Sequence, residues 1–347
     1  MKLEDLDFTY PENLIAVEPQ RPSRIMWVGQ TDVDVKELSG MPELLSQFQA
    51  GDCLVINDTK VLKRRVFSES ELEILFLAPV QATGEAGSLR KWQVLCPSSR
   101  WREGAVQVLP GGVELRLVSR GRTQVVEANR DLDASYFERL GEMPLPPYIQ
   151  KARGERHNRS ADESVYQTAW AKSAGSLAAP TASLHFSQDD LATLKARGVR
   201  VLTMTLHVGL GTFLPVTAPT LDEHVMHAEA VEISPETWQG IQAARASGNR
   251  VWALGTTVAR SLESAAHGYL AATSDGGFVG STDLFIRPGF EWRMVDRLLT
   301  NFHQPRSTLL ALVAAFAGLE KVRSSYTWAM AREFRLFSYG DLSVWSK

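Results

Sequence analysis

The segment "SQDDLATLKARGVRVLTMTLHVG", residues 187 to 209, joins a capped helix to a strand with polar residues at its end. Ser187 is a favoured N-cap residue, and acidic residues in the next turn suit the positive end of a helix. Gly198 predicts the end of that helix, and the β-branched and apolar residues after it predict a buried strand up to His207. This order of elements is typical of an α/β sheet.

Two further segments repeat the order of helix, glycine and strand. In "MPELLSQFQAGDCLVINDT", residues 41 to 59, the strand ends at Asn57, Asp58 and Thr59. In "SPETWQGIQAARASGNRVWALGTT", residues 234 to 257, Ser234 is the predicted cap of the helix. The strand ends at a glycine and leads into another helix. Ligands collect at the carboxyl ends of parallel strands, so we expect the three polar ends to share one pocket.

The stretch from about Lys63 to Arg130 contains short strands separated by turn signals and no helical period. The sequence therefore predicts a large α/β domain, residues 1–62 and 148–347, with a small all-β barrel domain, residues 63–147, inserted into it. We expect "GEMPLPPYI" (141–149) to be an extended connector, because it contains three prolines. Two C-terminal helices are predicted from "STLLALVAAFAG" (307–318) and "SSYTWAMAREFRLF" (324–337), the first of them capped by Ser307.

The composition is that of a folded protein, with 44% hydrophobic and 22% charged residues among 347. The net charge of −3 does not indicate a nucleic-acid binder, although local basic patches remain compatible with one. Two cysteines give no disulfide framework, and no apolar run reaches the length of a membrane span. The acidic start has no signal-peptide pattern, so the sequence predicts a cytoplasmic protein, and we expect a monomer.

Three histidines at element boundaries are candidates for proton transfer, because the pKa of imidazole lies near neutrality. They are His185, His207 and His303. The glycines at 209 and 211 precede two prolines rather than a helix, which argues against a phosphate loop. Thr256 and Thr257 begin a helix and suit anion binding, although capping that helix explains them equally well.

Two other chemistries are open at this point. His224, His227 and Glu229 lie close together in sequence and would suit a zinc or iron site, which predicts a metal-dependent hydrolase. Local basic clusters favour contact with an RNA backbone, and a non-catalytic RNA-binding module is the other alternative. The clusters contain Lys63, Arg64, Arg65, Lys151, Arg153, Arg156 and Arg159, with Tyr148 beside the second group.

Longer stretches of the chain resemble one family, the S-adenosylmethionine:tRNA ribosyltransferase-isomerases of queuosine biosynthesis. The resemblance extends from the N-terminal region to Asp341. It is carried by "INDTKVL", "GEMPLPPYI", "YQTAWA", "GSLAAPTASLHF", "TLHVGLGTFLPV", "HVMHAE", "ALGTTVARSLES", "TDLFIRPGF", "TNFHQPRSTLL" and "FSYGD".

The resemblance implies transfer and isomerisation of the ribosyl part of S-adenosylmethionine. The acceptor would be 7-aminomethyl-7-deazaguanine at the wobble position of tRNA with a GUN anticodon. Epoxyqueuosine, adenine and methionine would be the products, and no metal or further cofactor is expected. The family's large α/β domain and small β-barrel agree with the division above.

Within that framework we assign expected roles by position. His207 or His185 would be the general base or acid, with Glu229 orienting one of them or taking the proton itself. Substrate-binding residues would be Asn57, Asp58, Thr59, Phe213, Thr256, Thr257 and Arg260. The basic residues and Tyr148 would contact tRNA.

Overall fold

The computed structural model describes residues 1–31, 34–80, 88–97, 101, 104–209, 211 and 218–347. The chain divides into two compact units. The larger unit comprises Met1–Lys60, Pro146–Glu155 and Val165–Lys347, and the smaller comprises Val61–Leu145 and Arg156–Ser164.

Strands and helices are numbered in chain order. The strands are β1 (Ile25–Val28), β2 (Val35–Leu38), β3 (Cys53–Asn57), β4 (Thr59–Val61), β5 (Arg65–Phe67), β6 (Glu73–Pro79), β7 (Lys91–Leu95), β8 (Val106–Leu109), β9 (Val113–Ser119), β10 (Gln124–Ala128), β11 (Ser173–Ser176), β12 (Arg200–Leu206), β13 (Glu229–Ile233), β14 (Val251–Leu254), β15 (Ala271–Ala272), β16 (Phe278–Thr282), β17 (Arg297–Asn301) and β18 (Leu342–Ser346). The α-helices are α1 (Met41–Ser46), α2 (Ala134–Leu140), α3 (Pro147–Arg153), α4 (Asp162–Val165), α5 (Gln188–Ala196), α6 (Pro235–Ala246), α7 (Thr256–Ala266), α8 (Thr308–Ala317) and α9 (Leu319–Met330). Short 3-10 helices span Leu3–Leu6, Glu12–Leu14 and Thr181–His185.

The larger unit is built on a mixed sheet of ten strands in the order β15-β16-β13-β12-β3-β14-β17-β18-β1-β2. Its centre is parallel, since β12, β3, β14 and β17 pair side by side in the same direction. The predicted mixed α/β class with a partly parallel sheet is confirmed.

Both faces of the central strand β3 are covered. Cys53 and Val55 lie in one apolar cluster, whereas Leu54 and Ile56 lie in the cluster on the opposite face. Successive side chains of a strand point to opposite faces, so burial on both sides requires a nearly continuous apolar run. The parallel centre therefore sits in the core, and its carboxyl ends form one edge where polar side chains emerge.

Helix caps predicted from the sequence are confirmed at three serines. The hydroxyls of Ser187, Ser234 and Ser307 accept the backbone N–H of the third residue of α5, α6 and α8. Each bond satisfies one N–H that has no partner inside its helix. The helix predicted over 324–337 is only partly right, because α9 begins earlier, at Leu319, and ends at Met330.

The smaller unit contains a six-stranded antiparallel sheet in the order β5-β6-β7-β10-β9-β8. The N–H of Glu69, just beyond β5, donates to the carbonyl of Val108 in β8 at 2.8 Å, so the sheet is nearly closed. The prediction of an all-β domain was incomplete, because this unit also contains helix α2, which is capped by Asp133.

We expected the stretch 141–149 to be an extended connector, but it is not extended throughout. Helix α3 begins at Pro147, whose fixed φ suits the first helical position, and ends at Arg153, before Gly154, which has φ +67°. The domain limits at residues 62 and 147 stay a prediction.

Candidate active site

The three polar strand ends meet at one edge of the central sheet. The amide of Asn57, at the end of β3, donates to the Leu206 carbonyl of β12 at 3.0 Å and to the Thr257 hydroxyl at the start of α7 at 3.5 Å. Thr59 lies 2.8 Å from the imidazole of His207. The sequence had predicted this convergence from the parallel order of the strands.

Asn57 is fully buried and its amide is occupied by backbone groups. Its oxygen accepts the N–H of Thr59 and the N–H of Leu206, both at 3.1 Å. Together with the bond to the Leu206 carbonyl, this amide continues the pairing of β3 with β12 beyond the end of the strand. Asn57 therefore fixes the local backbone.

His207 follows β12 and is partly buried. Its Nδ1 bonds Thr59 Oγ1 at 2.8 Å, and its ring packs directly over Gly175 of β11. A Cβ at position 175 would lie 2.7 Å from the imidazole, so only glycine fits there without displacing the ring. Burial lowers the pKa of His207 below its usual value, although Asp58 and Glu232 oppose the shift. The ring is therefore neutral at physiological pH and able to accept a proton.

Asp58 lies beside this histidine and is partly exposed. Its carboxylate accepts the Thr205 hydroxyl at 2.6 Å, and its carbonyl accepts the N–H groups of Lys172 and Ser173 at 2.8 and 3.1 Å. Thr205, Ser173 and Gly175 were not predicted from the sequence. Alternation would have found Thr205, which lies two residues before His207 and so on the same face of the strand.

Helix α7 begins at this edge without a side-chain cap. The preceding residue, Gly255, has φ +101°, a conformation that favours glycine, and it supplies no capping group. The N–H groups of the first turn carry the positive end of the helix dipole. Thr256 is buried and Thr257 is partly buried, so the start of the helix suits a small anion.

Glu229 and Arg260 form a buried ion pair next to the edge. The second carboxylate oxygen of Glu229 accepts the N–H of Gly209 at 2.7 Å. Burial lowers the pKa of Arg260 to about 10, which leaves the guanidinium charged at neutral pH. This pairing favours a role for both residues in holding the chain after β12, instead of direct contact with substrate.

The alternative hypothesis of a metal-dependent hydrolase requires His224, His227 and Glu229 to bind a metal ion together. Among the residues that the structure describes, no group of three or more His, Cys, Asp and Glu side chains is arranged to hold a metal ion. Glu229 is committed to Arg260, and His224 packs edge-on against Phe285 with ring centres 5.3 Å apart.

His185 lies at the end of a 3-10 helix and has partners at both ring nitrogens. The Asn301 amide donates to Nε2 at 3.0 Å, and Nδ1 lies 2.7 Å from the Ser23 hydroxyl. Burial, together with Arg335 and Arg21, lowers the pKa of His185 to about 3. His303 has a pKa lowered to about 3 by burial and bonds Thr300 at 2.8 Å. Both histidines are neutral and fit structural roles.

Three basic residues expected to contact RNA have partners within the smaller unit. Arg65 is buried and bonds Glu142 at 2.8 Å. The guanidinium of Arg64 lies between the rings of Trp92 and Phe137, at 4.7 and 4.3 Å from their centres. Lys63 forms ion pairs with Glu163 at 2.7 Å and Glu138 at 3.9 Å. This geometry favours stabilisation of the unit over binding of phosphate.

The second basic group is more exposed. Lys151, Arg156 and Arg159 are exposed, whereas Arg153 is partly buried and donates to the Val17 carbonyl at 2.7 Å. Tyr148 is also partly buried, and its hydroxyl accepts the N–H of Ser338 at 2.8 Å.

Phe213 lies outside the described residues. No helix in the described part of the chain is long and apolar enough to span a membrane.

The chain is similar to known proteins over nearly its whole length. A model of the family described as "Queuosine biosynthesis protein" matches residues 3–344. A relative from Anaeromyxobacter dehalogenans (strain 2CP-C), named S-adenosylmethionine:tRNA ribosyltransferase-isomerase, is 43% identical over 98% of both chains. A relative of the same name from Acidiphilium cryptum (strain JF-5) is 40% identical over 99% of both chains.

One solved structure is also similar. It is the crystal structure of S-adenosylmethionine tRNA ribosyltransferase from Thermotoga maritima, with a TM-score of 0.55 and 29% identity. The similarity covers 98% of this chain and 99% of that chain. With a family model and relatives that match nearly its full length, the chain belongs to the queuosine biosynthesis protein family.

Proposed function

We propose that this protein is an S-adenosylmethionine:tRNA ribosyltransferase-isomerase of queuosine biosynthesis. The observation that carries the proposal is the meeting of Asn57–Thr59, His207 and the start of α7 at one edge of the sheet. This edge combines a neutral imidazole with an uncapped helix N-terminus. Full-length similarity to enzymes of that name supports the same conclusion.

The ribosyl part of S-adenosylmethionine is transferred to 7-aminomethyl-7-deazaguanine at the wobble position of a tRNA with a GUN anticodon. The sulfonium group acidifies the hydrogens on the ribose C5′, so a positioned base can remove one of them. Loss of adenine follows, the amine of the modified base attacks the activated ribose, and closure of the epoxide expels methionine. The enzyme contributes mainly placement of the reactants and exclusion of water.

We assign the proton transfers to His207. Because the pKa of this histidine is lowered, its imidazole ring is neutral and able to accept the C5′ proton. The ring can then give that proton to the departing adenine. His185 has no ring nitrogen left to accept this proton, because both of its nitrogens are already hydrogen-bonded. Glu229 positions the chain after β12 through Gly209 and Arg260, and takes no proton itself.

We assign the methionine carboxylate of S-adenosylmethionine to the first turn of α7. The N–H groups there lack a side-chain cap, and Thr257 offers a hydroxyl beside them. Asp58, which is partly exposed, is our candidate for hydrogen bonds to the ribose hydroxyls or the base edge.

We assign tRNA phosphates to the exposed basic residues Lys151, Arg156 and Arg159. Their exposure makes them better candidates than Arg65, which is buried. Removal of one phosphate contact lowers the salt dependence of binding by about one unit of slope. Binding of tRNA to Lys151→Gln at several salt concentrations tests this assignment, with wild type as the reference.

A direct assay tests the function. The protein is incubated with S-adenosylmethionine and tRNA that carries the aminomethyl base, and free adenine and methionine are quantified. The proposal expects both products in equal amounts, with epoxyqueuosine in the tRNA. Unmodified tRNA is the control and should give neither. Binding of tRNA without adenine release would instead support a non-catalytic RNA-binding module.

A further inference from the structure

The side chain of Thr59 is held in place by the end of strand β3. Thr59 is fully buried, and its backbone N–H donates to the Asn57 amide oxygen at 3.1 Å. The same oxygen accepts the N–H of Leu206, the residue before His207. One buried amide therefore fixes the backbone beside both the hydroxyl and the imidazole, so their separation of 2.8 Å is determined by the fold.

The hydroxyl of Thr59 has two possible directions for its own proton. It lies 2.8 Å from His207 Nδ1 and 3.5 Å from the carbonyl oxygen of Ser173. If the hydroxyl donates to Nδ1, the neutral ring carries its proton on Nε2 and cannot accept another there. If the hydroxyl donates to the Ser173 carbonyl, it accepts a hydrogen bond from Nδ1–H, and Nε2 has a free lone pair.

Within the described part of the chain, Thr59 is the hydrogen-bond partner of the His207 ring. The ring cannot turn freely, because Gly175 packs against its face. Nε2 is therefore the nitrogen left for a substrate. We propose that Thr59 is a positioning residue that holds the proton of neutral His207 on Nδ1 and leaves Nε2 as the proton acceptor.

This inference rests on the proposed function only for the identity of the substrate. In that reaction a C5′–H bond breaks and an Nε2–H bond forms, and the electron pair remains on the carbon beside the sulfonium. His207 becomes an imidazolium whose Nδ1–H still donates to Thr59. Thr59 does not touch the reacting atoms and gains or loses no proton over the step.

Two substitutions separate the hydroxyl from the shape of the side chain. Thr59→Val keeps the shape and removes the hydroxyl, whereas Thr59→Ser keeps the hydroxyl. Thr203→Val makes the same chemical change on the exposed face of β12 and is the matched control. We expect Thr59→Val to lower kcat about 10-fold or more with KM nearly unchanged, since a mispositioned base loses most of its advantage. Thr59→Ser and Thr203→Val should stay within about threefold of wild type.

A second readout does not depend on activity. Protein labelled with ¹⁵N-histidine gives ring-nitrogen signals from seven histidines, and the His207 signal is identified by its loss in His207→Gln. Above the pKa of His207 we expect wild type and Thr59→Ser to carry the ring proton on Nδ1, and Thr59→Val to lose that preference. The pH dependence of the signal also includes the negative charges of Asp58 and Glu232, both of which raise the pKa of His207.

The outcomes are distinguishable from failure of the proposed function. A wild-type His207 with its proton on Nε2 overturns the inference, whatever the activity. Unchanged kcat and tautomer in Thr59→Val overturn it as well. If His207→Gln still releases adenine while the tautomer depends on Thr59, the inference about Thr59 stands and the catalytic assignment of His207 fails.

Discussion

His207 and His185 are both partly buried histidines at the ends of secondary-structure elements, yet their surroundings differ. His185 is bonded at both nitrogens, by Asn301 and Ser23. His207 is hydrogen-bonded at Nδ1 by Thr59, and one face of its ring packs against Gly175. Burial lowers the pKa of both, to about 3 for His185. Between His185 and His207, the number of bonded ring nitrogens separates the structural histidine from the one available for chemistry.

The same distinction applies to the charged groups. Glu229 and Arg65 are buried and engaged by specific partners, whereas Asp58 is partly exposed at the edge that carries His207. Groups whose hydrogen-bonding capacity is used inside the protein contribute to stability, and groups with remaining capacity are free to act on a ligand. Four predictions test this rule.

The largest effect is expected at His207. His207→Gln removes the proton acceptor and should lower kcat for adenine release by about 10²- to 10⁴-fold, the usual contribution of general acid–base catalysis. His185→Gln should remain within about threefold of wild type, because His185 takes no proton in the reaction. Steady-state kinetics at matched folded fractions checks both. An equal loss of activity in the two variants would contradict the distinction between His207 and His185.

The next effect concerns the buried pair of Glu229 and Arg260. Glu229→Gln leaves a buried guanidinium without its counter-charge and should lower the free energy of unfolding by about 3 kcal/mol. The double variant with Arg260→Gln removes both charges and should be more stable than Glu229→Gln alone. Urea unfolding measures the three proteins. A double variant less stable than the single one would show that the pair contributes through something other than its charges.

Much of the fold could be predicted because its signals are local. A serine cap or a glycine after a helix acts within one turn, and these signals correctly identified α5, α6 and α8. The meeting of Asn57 with His207 also followed from the sequence, since parallel strands bring their carboxyl ends to one edge.

The remaining features depend on partners far away in sequence. Arg65 looked like an RNA contact because its partner Glu142 is 77 residues distant, and no local pattern indicates such a pair. Gly175 was overlooked because its role is to give space to His207, which a sequence pattern does not reveal. Long-range pairing and close packing decide which polar residues of the candidate site are free, and neither has a local signature.

The third prediction uses the titration of His185. Its pKa is about 3 in the folded protein and near 6.5 when unfolded, so the unfolded state takes up a proton first as the pH falls. The stability that neutral His185 contributes is present above pH 6.5 and is lost as the pH falls toward 3. Between pH 7 and pH 5 the free energy of unfolding should fall by about 1–2 kcal/mol for wild type and by less for His185→Gln. Unfolding measured at both pH values checks the difference, and equal losses would contradict it.

The smallest effect lies in the smaller unit, at His157. This exposed histidine bonds Glu142 at 2.7 Å and Glu71 at 3.1 Å, and the bond to Glu142 raises its pKa. Arg65 and Arg156 pair with the same two carboxylates. Because the folded pKa is raised, the contribution of protonated His157 is complete below the unfolded pKa and is lost as the pH rises through the folded value.

His157→Gln should therefore reduce Tm more at pH 6 than at pH 8.5. Exposure limits the effect to less than about 1 kcal/mol, and high salt should weaken it further. Unlike His185, which opposes folding when protonated, His157 favours folding when protonated, so the two variants should shift the pH dependence of stability in opposite directions. Shifts of the same sign would mean that the number and charge of a histidine's partners do not decide its contribution in this protein.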